Sequence, residues 1–94
     1  MTVVWLPRAL RRLEQVHHYI AEDKPDAARQ TVRRIYECAE RLREFPEMGR
    51  VGTVAGTREL IIPGTAFILH YRIRADRVEI LTIIHAARRW PELL

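Results

Sequence analysis

The chain has 94 residues, 48 % hydrophobic and 30 % charged, with a formal net charge of +4 and a sequence pI near 10.0. That length supports one core and not two, and the balance excludes intrinsic disorder. No apolar run approaches the roughly 18–20 residues of a membrane-spanning helix, and the single cysteine, Cys38, excludes an internal disulfide.

The opening residues Met1 to Pro7 lack a basic stretch followed by a long apolar one, so no secretory signal is expected. With the cysteine usage, this predicts a cytoplasmic protein. Every basic residue except Lys24 is Arg, and the excess leans to the second half: 9 basic against 8 acidic side chains in residues 1–47, then 7 against 4 in residues 48–94. A basic surface attracts nucleic acid or an acidic protein, and Arg suits planar contacts to carboxylate or phosphate. A GC-rich genome would also produce the Arg bias.

Thr2 to Leu6 is β-branched and aromatic and ends at Pro7, which predicts a first strand. Pro7 then opens a helix, where a proline is tolerated. Leu10, Leu13, Val16 and Ile20 form its apolar stripe, with Arg11, Arg12, Glu14 and Gln15 on other faces. Glu22-Asp23-Lys24 interrupts the pattern. Pro25 opens a second helix, with Asp26 at the positive end of its dipole. Its stripe is Ala28, Val32, Ile35, Ala39 and Leu42, and Pro46 ends it. The two helices form a hairpin.

Met48 to Gly56 reads as a loop. From Thr57 the period becomes two, predicting strands over 57–62, 66–74 and 77–84. Pro63-Gly64 and Ala75-Asp76 are turns, and joins so short make antiparallel neighbours. The expected fold is one α+β domain over residues 1–94, ordered β-α-α-β-β-β: a helical hairpin packed on a twisted antiparallel sheet, with the opening strand at its edge. Phe67, Leu69, Tyr71 and Ile73 should face the helices, as should Val78, Ile80, Thr82 and Ile84. Ile68, His70, Arg72, Arg74, Glu79, Leu81, Ile83 and His85 fall on the other face. There Ile68, Leu81 and Ile83 make an apolar patch rimmed by Arg and His, which points to a partner. A tail of the chain folding over the patch is the competing reading.

Metal chemistry has little support. His17 and His18 are adjacent on a helix and point about 100° apart, and no Cys or carboxylate cluster completes a site with His70 and His85. Cys38 reads as a packed thiol. The glycines fit no phosphate loop, and no cofactor is expected. What remains is Arg-rich: Arg50, Arg58, Arg72, Arg74, and Arg88-Arg89 after His85. Such groups could hold phosphate while His85 moves a proton, or form a solvated basic edge.

Taken in order, these segments resemble the RelE/ParE superfamily of bacterial type II toxins. The matching pieces are Val4-Trp5 before Pro7, Tyr19-Ile20-Ala21, Pro25-Asp26-Ala27-Ala28 and Phe45-Pro46-Glu47-Met48-Gly49-Arg50. They continue with Gly56-Thr57-Arg58-Glu59-Leu60, Ile68-Leu69-His70-Tyr71-Arg72 and Ile84-His85-Ala86-Ala87-Arg88-Arg89-Trp90-Pro91. The resemblance implies a toxin wrapped by a cognate antitoxin, with Ile68, His70, Arg72, Leu81 and Ile83 as antitoxin-binding candidates. ParE-like members poison DNA gyrase; RelE-like members cut messenger RNA on the ribosome. The RelE pattern has lysines and an extra Arg on strands that correspond here to Arg58–Ile62 and Ala66–Leu69, which hold few cations. The ending is closer to ParE. Target-contact candidates are then Arg50, Arg58, Arg89 and Trp90; a RelE-like site would instead use Arg58, His85 and Arg88.

Overall fold

The computed structural model describes residues 1–86. Strand β1 (Thr2–Trp5) leads into helices α1 (Pro7–Ala21) and α2 (Pro25–Arg41), followed by β2 (Arg50–Val51), β3 (Arg58–Ile61), β4 (Phe67–Arg74) and β5 (Arg77–His85). The strands form one sheet in the order β1-β5-β4-β3-β2. The helices pack together and α1 also lies against β5, so the fold is α+β with helices on one side of the sheet.

Both helices start at the expected prolines. Leu6 before Pro7 is extended, as the ring of a following proline requires. The α2 stripe lies as expected: Ala28, Ile35, Ala39 and Leu42 are fully buried. Gly64 takes the positive φ that the Pro63-Gly64 turn needs.

Four expectations are corrected. The sheet is mixed, because β1 runs parallel to β5; short joins fix the direction of consecutive strands only, and β1 reaches its neighbour through the rest of the chain. Part of the expected 48–56 loop is the two-residue strand β2, antiparallel to β3 and too short to show a period. On α1 the inward stripe is Ala9, Leu13, Val16 and Ile20, which at about 100° per residue span only about 60°. Leu10 lies outside it and is 49 % exposed, while Arg12, at its edge, is buried.

The fourth correction concerns β5. Tyr71 pairs with Ile80 but His70 pairs with Thr82, so Leu81 is an extra residue, a β-bulge. Alternation restarts after it, and the second half of β5 exchanges faces. Ile83 pairs with Leu69 and enters the core at 1 % exposure. Thr82 and Ile84 move to the open face beside His70 and Ile68. Ile83 therefore cannot belong to an exposed patch. Ile83→Ala is expected to cost about 2–5 kcal/mol, while Ile84→Arg stays folded and costs under about 1 kcal/mol. Urea melts of the two variants check this; equal losses would contradict the bulge.

Candidate functional site

The face of the sheet away from the helices is organised in rungs set by strand register; the tail of the chain, the competing cover for it, lies outside the described residues. At one end Ile61, Ile68 and Ile84 align across β3, β4 and β5, with Ile61 52 % exposed. Glu59, His70 and Thr82 form the next rung. Beyond the bulge Arg72 aligns with Glu79, and Glu79 with Val4 of the edge strand. The face thus runs from apolar to charged along the strand direction.

Most of its charges are tied. Glu79 is 2 % exposed and accepts hydrogen bonds from Arg72 Nε (2.6 Å) and Arg77 Nη2 (2.5 Å). The bond from Arg72, more than that from Arg77, holds its carboxyl below the ordinary 4.5, against the opposing pull of burial. Arg50 reaches Glu59 through Nε (3.2 Å) and Nη2 (3.0 Å). His70 Nε2 is sealed from solvent with no hydrogen-bond partner.

On the other side, the segment from Phe45 to Arg50 is held by two side chains. The Tyr71 hydroxyl donates to the Pro46 carbonyl (2.7 Å) and accepts from the Gly49 N–H (2.9 Å). Burial pushes the Tyr71 phenol up from 10.0, so it stays a donor at neutral pH. Arg58 Nη1 donates to the carbonyls of Gly49 (2.8 Å) and Glu47 (3.3 Å). A Cβ at position 49 would lie 2.8 Å from the Tyr71 ring and 2.9 Å from the Glu59 carbonyl, so only glycine fits. The held segment leaves Phe45 54 % and Met48 36 % exposed. With Arg41, Pro46 and Glu47 they line an open groove of about 510 Å³.

Arg58 and His85 do not meet. Arg58 pairs with Tyr71, and His85 pairs with Phe67 at the other end of β4. Four residues of strand separate the two rungs, about 13 Å. The His85 ring lies edge-on to Phe67, centroids 5.1 Å apart. Among the described residues no group of His, Cys, Asp and Glu is placed to hold a metal ion, and no helix is long and apolar enough to cross a membrane.

Residues 3–90 match the family described as the ParE toxin of the type II toxin-antitoxin system parDE. The chain belongs to the ParE toxin family. It is 47 % identical over 90 residues to a putative toxin, Y4kP, of Sinorhizobium fredii, covering 96 % of this chain and 93 % of that one. It is 38 % identical to toxin RelE2 of Caulobacter vibrioides, covering 92 % and 96 %. Among solved structures it resembles a chain of the chromosomal ParDE toxin-antitoxin system from P. aeruginosa, with a TM-score of 0.79, 27 % identity, and coverage of 88 % and 92 %.

In this ParE-family toxin, Ile68, His70 and Arg72 share the open face as expected, and Leu81 sits partly exposed at the bulge. Arg50 is on that face, bound to Glu59. Arg58 is an internal clamp. Arg88, Arg89 and Trp90 lie outside the described residues. Sequence reasoning missed Ile61 and Ile84 as open-face residues, and Tyr71 as the anchor of the loop; the Gly49 spacing after Pro46 was the available signal.

Two outcomes follow for the toxin. Tyr71→Phe removes both bonds to the loop and should cost about 1–3 kcal/mol, with faster amide exchange at Gly49; unchanged exchange there would contradict the anchor. Glu79 has a folded-state pKa below its unfolded one, so its stabilisation is present above pH 4.5 and is lost as pH falls through the lower folded value. Urea melts at pH 7 and pH 3 should therefore differ more for the parent chain than for Glu79→Gln. An equal pH dependence would contradict the Arg72–Glu79–Arg77 pairing.

Proposed function

We propose that this toxin inhibits growth by poisoning DNA gyrase in the cytoplasm, and that its cognate antitoxin silences it by lying across the open sheet face. A type II toxin of this family implies an antitoxin partner; the gyrase target is the finer reading. The observation that carries it is the use of Arg58. A metal-independent nuclease needs cations and a proton-transfer group converging on one phosphate. Here Arg58 is spent on the carbonyls of Gly49 and Glu47, about 13 Å along the sheet from His85. The antitoxin reading is supported by the Ile61–Ile68–Ile84 rung, an apolar strip beside His70 and Arg72 that the helices do not cover. Arg50, with Arg58 behind it, and Arg89 and Trp90 are the residues proposed to meet the target.

The rival reading is a RelE-like, ribosome-dependent messenger RNA endoribonuclease. The name of one relative, toxin RelE2, favours it. In that reaction the RNA 2′-hydroxyl attacks the adjacent phosphorus and the 5′-oxygen leaves. His85 or a neighbour would move the protons, and Arg58 and Arg88 would hold the phosphate.

Adding the purified toxin to gyrase with supercoiled DNA, and separately to a translating ribosome extract, separates the two. Gyrase-dependent double-strand breaks with intact message are expected. Codon-phased message cuts with undisturbed gyrase would overturn the gyrase reading.

A further inference from the structure

The start of α1 gathers positive charge that no acidic side chain among the described residues neutralises. Leu6 provides no side-chain cap, Pro7 fills the first turn, and no acidic residue lies in that turn. Arg8, Arg11 and Arg12 follow, at the end of the helix where the backbone dipole already favours an anion.

Arg12 is distinct among them. It sits between Ala9 and Val16 at the edge of the inward stripe and is 9 % exposed, yet it makes no hydrogen bond or ion pair with any described residue. Elsewhere Arg29, Arg43, Arg50, Arg72 and Arg77 each have a carboxylate partner. The Arg12 nitrogens are not among the sealed, unpartnered atoms. Its aliphatic stem is therefore covered while the guanidinium tip remains reachable from outside. Burial of the stem, and after it the charge of Arg8, pull Arg12 below the ordinary arginine pKa. The reachable fork of a guanidinium fits a carboxylate with two parallel bonds.

We infer that Arg12, with Arg8 beside it at the start of α1, is a socket for one carboxylate side chain of the cognate antitoxin. The inference rests on the toxin–antitoxin reading and deepens it. A carboxylate on a short side chain can enter so covered a position; the backbone phosphates of a duplex, fixed on a broad rod, meet the exposed Arg8 and Arg11 first. The socket lies on the helical side of the sheet, so an antitoxin that also occupies the isoleucine rung passes around the domain.

The test uses the full chain and the antitoxin encoded beside it. Arg12→Met keeps the buried stem and removes the charge. The free variant should melt no lower than the parent, because no partner among the described residues is lost, while its complex with the antitoxin should dissociate at least tenfold more readily. One Asp→Asn or Glu→Gln in the antitoxin should give the same loss and add little to Arg12→Met. Should Arg12→Met not fold, Arg12→Lys, with stem and charge but no fork, should fold and weaken the complex severalfold. The socket is overturned by a change in affinity below twofold, by additivity with every acidic substitution, or by a lowered melting temperature of the free toxin that accounts for the weaker complex. Loss of duplex-DNA binding with unchanged antitoxin affinity also overturns it. If the parent chain itself does not bind the antitoxin, the toxin–antitoxin reading falls and the socket with it.

Discussion

One extra residue in β5 determines what the two faces of this sheet contain. Were Leu81 an ordinary strand residue, strict alternation would place Ile83 on the open side and Ile84 beneath the helices. Because it is bulged, Ile83 closes the core against Leu69, and Ile84 joins Ile61 and Ile68 on the other face. Because side chains alternate with period two, a single inserted residue moves a whole half-strand. The apolar rung of the open face, and hence the place offered to a partner, is a product of that insertion. The charged end beyond the bulge is fixed separately, by Arg72 and Arg77 closing on Glu79.

The core also reaches outward through Tyr71. Its ring is fully buried between sheet and helices, while its hydroxyl holds both ends of the Pro46–Gly49 turn. Arg58, its partner across the β3–β4 register, secures the same turn from its carbonyls. A segment with no regular structure of its own thus acquires a fixed shape, and Phe45 and Met48 stay exposed on a rigid base. Preorganised apolar side chains lose little entropy on binding, which suits a protein that works by engaging larger partners.

Much of this was legible in the sequence. Pro7 and Pro25 marked both helix starts, Pro63-Gly64 the β3–β4 turn, and the change from helical to alternating period the onset of β3. The α2 stripe was readable because all five of its members are small or aliphatic and evenly spaced. The α1 stripe was less so: Ala9 carries little hydrophobic signal, and Leu10, though apolar, points away. Arg12 was invisible as a buried residue because polarity argues for the surface. The bulge left no mark, since Leu81, Ile83 and Ile84 are all apolar and either face could accept them. Arg58 looked like a free cation, because bonds to carbonyls of a distant loop leave no pattern in the chain.

The isoleucine rung on the face away from the helices links fold and function most directly, and methyl-labelled NMR of the toxin bound to its antitoxin reads it out. Intermolecular nuclear Overhauser contacts are expected from the methyls of Ile61, Ile68 and Ile84, with none from Ile35, Ile80 or Ile83. A complex in which the first three methyls show no contact with the antitoxin would contradict the account.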